Sequence, residues 1–153
     1  MSGKPLGHRA EATMHTTVRN NVLLRGEQSD GAMAIVEHEM PAGAPGPPLH
    51  SHAFDEAFYV LDGELTIQLR DDLITVRAGD LAFAPRGVPH TLANLSDAPA
   101  RFLLVVTPAG FERELARRAA KDAGMDPPTW SLQPIPEVTY LGPRIGERHQ
   151  QPG

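Results

Sequence analysis

Residues 56–85 read EAFYVLDGELTIQLRDDLITVRAGDLAFAP, and the reading of this stretch decides the fold. Phe58 to Leu61, Glu64 to Leu69, Leu73 to Val76 and Leu81 to Ala84 are short runs of β-forming residues. Asp62-Gly63, Asp71-Asp72 and Ala78-Gly79 separate them as turn formers. Downstream the same rhythm continues through Arg86-Gly87, the run His90 to Asn94, Ser96-Asp97 and the run Phe102 to Val106. Upstream, Val22 to Leu24 and Ala32 to Val36 read as two strands around the turn-rich Gly26 to Gly31. Many short strands at this spacing predict an all-β sandwich or barrel.

The connection into this region is PAGAPGPP, Pro41 to Pro48, which reads as a loop because proline cannot donate to the interior of a sheet. Beyond Pro108 the period changes. Phe111, Leu115 and Ala119 recur every four residues, Glu114 can pair with Arg118, and Gly124 supplies a stop, so one amphipathic helix follows the strands. The tail beyond Pro127 carries Trp130, Leu132, Ile135, Val138, Tyr140 and Leu141, enough apolar surface to pack on the barrel or on a second subunit. The expected organisation is a flexible arm over 1–17, a barrel over 18–108, and a helix with a docked tail over 109–153.

Composition narrows the function. The 153 residues suit one domain, and 41% hydrophobic with 22% charged residues is the balance of a globular chain. There is no cysteine, so disulfides, thiolate metal sites and cysteine nucleophiles are excluded, and any metal must be held by nitrogen and oxygen. A net charge of -5 argues against nucleic acid as a partner. The basic cluster Arg113, Arg117, Arg118 and Lys121, interleaved with Glu112 and Glu114, reads as a solvated helix face. No secretory core and no run near the ~18 apolar residues of a membrane span is present, so the expected location is the cytoplasm, with no membrane partner.

The candidate chemistry lies in His50-Ser-His52-Ala-Phe-Asp-Glu56. On a strand alternate side chains share a face, so His50, His52 and Glu56 are expected to point the same way. Two imidazoles and a carboxylate on one face are the raw material of a facial metal triad. His90 follows the turn Pro85-Arg86-Gly87-Val88-Pro89 and adds a third imidazole, with Leu92 and Asn94 sharing its face. Phe58, Val60, Phe102, Leu104 and Val106 are expected to fill core, Gly63, Gly79 and Gly87 to make turns, and His38 to lie at the surface. His8, His15 and His149 fall in the terminal segments and carry no role in this reading.

These residues resemble the two motifs of the cupin family. Gly46-Pro-Pro-Leu-His50-Ser-His52-Ala-Phe-Asp-Glu56 with Gly63 is similar to the first motif. Gly79-Asp-Leu-Ala-Phe-Ala-Pro85-Arg-Gly87-Val-Pro-His90-Thr-Leu-Ala-Asn94 is similar to the second. The motifs span residues 46–94, about a third of the chain. One departure stands: the glycine that usually opens the first motif is replaced by Ala44, with glycines at 43 and 46. The resemblance implies a double-stranded β-helix, the cupin jelly-roll barrel, around one divalent transition metal (iron, manganese, nickel, cobalt, copper or zinc) held by His50, His52, Glu56 and His90. It also implies Glu56 as general base. The expected activity is an oxidoreductase, a quercetinase-like dioxygenase acting on an enol or phenolic small molecule of aromatic or apolar character. A redox-neutral cyclase or isomerase, or a non-catalytic binding cupin, are the alternatives. A homodimer is the expected assembly.

Overall fold

The computed structural model describes residues 20–147; the terminal arm and the histidines at 8, 15 and 149 lie outside them. Ten strands form two five-stranded antiparallel sheets, as expected of a jelly-roll barrel. The first runs β1 (Asn20–Leu24), β2 (Ala34–Met40), β9 (Ala100–Thr107), β4 (Asp55–Asp62) and β7 (Leu81–Ala84). The second runs β10 (Val138–Tyr140), β3 (His50–His52), β8 (His90–Ala93), β5 (Glu64–Leu69) and β6 (Asp72–Arg77). The strands match the runs of β-formers, while Gly26–Gln28 closes into a short 3-10 turn between β1 and β2. The strand expected to run from His50 through Glu56 is divided into β3, which ends at His52, and β4, and one short strand, β10, inside the proline-rich tail, is an addition.

Strict alternation along the first sheet builds the interior in rungs. Glu56 lies opposite Val106, and Val106 opposite Ala34. The next rung inward is Phe58, Leu104 and Val36, and the one after it is Val60, Phe102 and His38. All but His38 are buried, because alternate residues of a strand face the same side. The helix α1 (Glu112–Asp122) packs Leu115, Ala116, Ala119 and Ala120 inward, and Arg118 Nε donates to Glu114 Oε1 at 2.8 Å. Gly124, at φ +66°, ends it. The helix is clamped at its start by the buried carboxylate of Glu112, which accepts from Gly26 N at 2.8 Å and from Gly110 N. No helix among the described residues is long and apolar enough to cross a membrane.

The loop that delivers the chain to His50 is tied to the strand that carries His90. Thr91 Oγ1 donates to Pro47 O at 2.6 Å, and Asn94 N donates to Ala44 O at 2.9 Å. The buried Asn94 side chain donates to Met40 O, Pro41 O and Ala98 O, and its Oδ1 accepts from Ser96 N and Oγ. Asn94 is therefore a structural knot that fixes both loops. Gly46 makes the tightest fit, since a Cβ built there would lie 1.8 Å from Leu92 O, at φ +68°. Gly43 has a similar φ of +72° but open space around it. The steric demand for glycine in this loop thus falls at 46 and not at 43.

Both glycines to alanine should be compared by denaturant unfolding. Gly43→Ala carries only the left-handed backbone cost of about 1–2 kcal/mol. Gly46→Ala adds a collision with backbone and should cost about 3 kcal/mol or more. Equal losses would contradict the assigned packing.

Candidate metal centre

Three imidazoles and one carboxylate meet at one end of the barrel interior. His50 and His52 stand on β3 two residues apart, and His90 is the register partner of His50 on β8, so all three histidines come from the second sheet. Glu56 comes from the first sheet. Its approach corrects the parity argument: the chain bends at Ala53 and Phe54 and crosses between sheets, so Glu56 faces the histidines across the barrel rather than standing beside them on one strand. The bend is anchored by Phe54, whose buried ring stacks on His52 with centroids 3.5 Å apart and packs against Phe111 at 5.3 Å.

Each imidazole is oriented in the same way. The Nδ1–H of His50 donates to Pro48 O at 2.7 Å, that of His52 to Phe54 O at 2.9 Å, and that of His90 to Val88 O at 2.8 Å. A ring that donates from Nδ1 keeps a lone pair on Nε2. One ligand nitrogen from each of the three rings lies within 4.8 Å of the others, and all four residues are buried. Glu56 Oε1 lies 2.8 Å from His52 Nε2 and 3.9 Å from His90 Nε2. Neither of these two nitrogens makes a hydrogen bond of acceptable geometry.

That arrangement is an electrostatic demand. Lone pairs and a carboxylate oxygen at such distances repel unless positive charge lies among them. Burial alone would push the Glu56 carboxyl up, and it is proton donation and positive charge from the side of His52 and His90 that bring it down to about 2, so the carboxylate is ionised when positive charge lies among the rings. Burial pushes His50 down. His90 is subject to the same burial, yet the neighbouring carboxylate raises it. A proton on one ring would satisfy one contact, whereas a cation at the centre satisfies all the nitrogens and the carboxylate together. The three-histidine group can hold a metal ion, and its nitrogen and oxygen donors suit a divalent transition metal.

The centre opens into a cavity of about 500 Å³. Phe58, Phe102 and Phe111 supply its aromatic walls, and Leu92, Leu104 and Leu115 add to them. Phe58, Val60, Phe102, Leu104 and Val106 are all buried in the core as expected, and Phe58, Phe102 and Leu104 also line the cavity. One further expectation is overturned, and one is extended by a second contact. His38 is not a surface residue: it lines the cavity, with Nδ1 bonded to Asn20 Oδ1 and its ring tilted on Phe102. Arg118 likewise lines the cavity, although its neighbours Arg113 and Arg117 turn to carbonyls of the tail, at Pro134, Ser131 and Gln133. Tyr140 and Arg144 also reach the cavity from the tail, and nothing local in the sequence marks them. The inward parity of His38 with Val36 and Ala34 was the one available signal.

The fold and the donor cluster define a double-stranded β-helix barrel with an internal histidine site. Residues 36–106 match the Cupin_2 family model, described as the cupin domain, so this segment of the chain is a cupin domain. Among curated proteins it is 24% identical, over 67% of this chain and 63% of the relative, to the tetracenomycin polyketide synthase protein TcmJ of Streptomyces glaucescens. It is 28% identical, over 46% of this chain and 56% of the relative, to an uncharacterized protein of Methanocaldococcus jannaschii. The chain thus spans about three-fifths of the length of the curated relatives it matches. Among solved structures, the polyketide cyclase RemF from Streptomyces resistomycificus superposes with a TM-score of 0.62 over 99% of this chain and 95% of its own, at 20% identity. A predicted oxalate decarboxylase from Thermotoga maritima reaches 0.60 over 68% and 99%, at 23% identity.

Burial, with a smaller contribution from the charge of Arg118, lowers His38 from 6.5 to about 4. A group depressed on folding stabilises the protein above its unfolded value, and that stability is lost as pH falls from 6.5 towards 4. The full shift corresponds to ~3 kcal/mol, which the partial hydration of a half-buried ring reduces to about 2 kcal/mol. Denaturant unfolding across this range should therefore show a steeper loss in the wild type than in His38→Gln, by about 2 kcal/mol at the acid end. Parallel profiles would contradict the burial of this ring.

Proposed function

We propose that this protein is a metal-dependent enzyme of the polyketide-cyclase kind, closing a ring in an enolisable polycarbonyl substrate without net oxidation. One observation carries the reading: among the described residues, Glu56 is the only carboxylate lining the aromatic cavity, and it is also the carboxylate in contact with the histidine cluster. The names of two relatives, one belonging to a polyketide synthase and one a polyketide cyclase, support it.

In this reading His50, His52 and His90 hold the metal, with Glu56 as a fourth ligand able to exchange that role for base chemistry. When bound, the metal supplies Lewis acidity toward a carbonyl oxygen. Glu56, ionised at neutral pH, is in the state needed to take a proton from the carbon between two carbonyls. The electron pair left on that carbon attacks a second carbonyl of the same chain. A carbon–carbon bond forms, and the resulting alcohol leaves as water when the ring aromatises. The aromatic walls hold the chain folded and exclude solvent, which favours the intramolecular partner. A dioxygenase acting on an enol or phenol would use the same four residues, with Glu56 again taking the proton, but would consume dioxygen.

Metal-loaded protein should convert an aryl tetraketone with carbonyls on alternate carbons, in which the carbon between the first two carbonyls closes a six-membered ring on the fourth, into a carbon-cyclised resorcinol lighter by one water, equally fast under nitrogen and in air. Glu56→Gln should retain the metal on three histidines and slow turnover by about 100-fold or more. A rate that requires oxygen would move the assignment to the dioxygenase. Absence of turnover for the whole substrate class would leave a binding protein.

A further inference from the structure

The cavity has a second polar end that the proposed chemistry does not use. Register fixes how far away it lies. Glu56 faces Val106 on β9, and His38 faces Phe102 on the same strand, four residues further along. At the rise of an antiparallel strand this is about 13 Å. Between the two ends the interior rung is Phe58 and Leu104, both lining the cavity. The helix follows the same direction: Phe111, near its start, packs beside His52 with centroids 6.3 Å apart, while Arg118, two turns on, lines the cavity with His38. Phe111, Leu115 and Arg118 stand at i, i+4 and i+7, one face of the helix, and that face forms a wall of the cavity.

Arg118 is held but not spent. Its Nε donates to Glu114 Oε1 at 2.8 Å, and its guanidinium lies 5.9 Å from the Phe111 ring centre. Its two Nη groups have no hydrogen-bond partner among the described residues. Lining a largely apolar cavity, they are donors for an anionic acceptor, and a guanidinium matches a carboxylate with two parallel bonds. His38 stays neutral here. Its Nδ1 donates to Asn20 Oδ1, so Nε2 keeps a lone pair and can only accept, and the anionic group is held by Arg118 alone. Arg144, the other arginine at the cavity, is more occupied: Nε donates to Gly46 O at 3.0 Å and Nη1 pairs with Glu147.

We propose that the Arg118–His38 end is a subsite for an acidic group, a carboxylate or an ionised phenol, on an elongated aromatic substrate whose reacting carbonyl or enol oxygen lies at the histidine end. The proposal rests on the enzymatic reading above for the orientation of that substrate. The charge recognition at Arg118 is independent of it. Arg118 is thus a specificity-determining residue, with the aromatic rung between the ends setting the length of the ligand.

The test uses two flat probes that differ in one group: 6-hydroxy-2-naphthoic acid, with hydroxyl and carboxylate at opposite ends, and 2-naphthol, without the carboxylate. Binding is measured by calorimetry on the full chain, both metal-free and metal-loaded. Wild type should bind the acid about tenfold tighter than the naphthol, with a preference that shrinks as salt rises. Arg118→Gln should erase the preference and leave naphthol affinity unchanged. Lys121→Gln, the same charge change on an exposed position of the same helix, should keep it. Arg118 is about half exposed, so the variant is expected to fold, and naphthol binding checks that the cavity survives. An equal affinity of wild type for both probes, an unchanged preference in Arg118→Gln, or equal weakening of both probes would overturn the subsite. If the preference and its loss persist in protein that binds no metal and turns over no tetraketone, the enzymatic reading fails while the subsite stands.

Discussion

Three imidazole nitrogens share one buried point in this barrel with a carboxylate set against two of them, and the surrounding structure is arranged to keep them there. Like-signed electron density at hydrogen-bond distance, out of reach of water, is unfavourable by itself. It becomes favourable when a cation lies among the donors. The three Nδ1–H groups exclude the cheaper escape of turning a ring, since each already donates to a backbone carbonyl two residues away. The same bonds set the tautomer that a metal requires.

The two-sheet architecture follows from this constraint. The histidines come from one sheet and the carboxylate from the other, so the centre exists only when the barrel closes. Closure is guarded by contacts between the loops of the two ligand-bearing segments: Thr91 and Asn94 hold the proline-rich loop before His50, and Gly46 lets that loop lie directly on the Leu92 carbonyl. Phe54 serves the crossing between sheets by stacking on His52. None of these residues offers a donor to the centre, yet each fixes the position of one that does.

The strands were legible because period-two alternation and Gly, Pro and Asp turns are local signals, and the helix because its period changes after Pro108. The histidines were legible from spacing. Glu56 was found for an incomplete reason: counting parity through Ala53 and Phe54 treated a bend as strand, and the carboxylate reaches the cluster from the opposite sheet. His38 was misread, and Arg118 read only in part, because a lone histidine and one arginine in a charged helix face look like surface. Strand parity on β2 turns His38 inward, and Arg118 reaches the cavity from the same face of α1 as Phe111 and Leu115. Strand β10 was hidden by its prolines, and with it the approach of Tyr140 to His50. What could not be read locally was, in each case, decided by which elements meet across the barrel.

The claim on which the account depends is that the cluster holds a metal. Elemental analysis of the purified protein from metal-supplemented culture, set against His52→Ala and His90→Ala prepared in the same way and checked for folding, tests it directly. The account predicts close to one equivalent of a divalent transition metal in the wild type and loss of most of it in both variants. A folded wild type with far less than one equivalent, or variants that retain the metal in full, would contradict it.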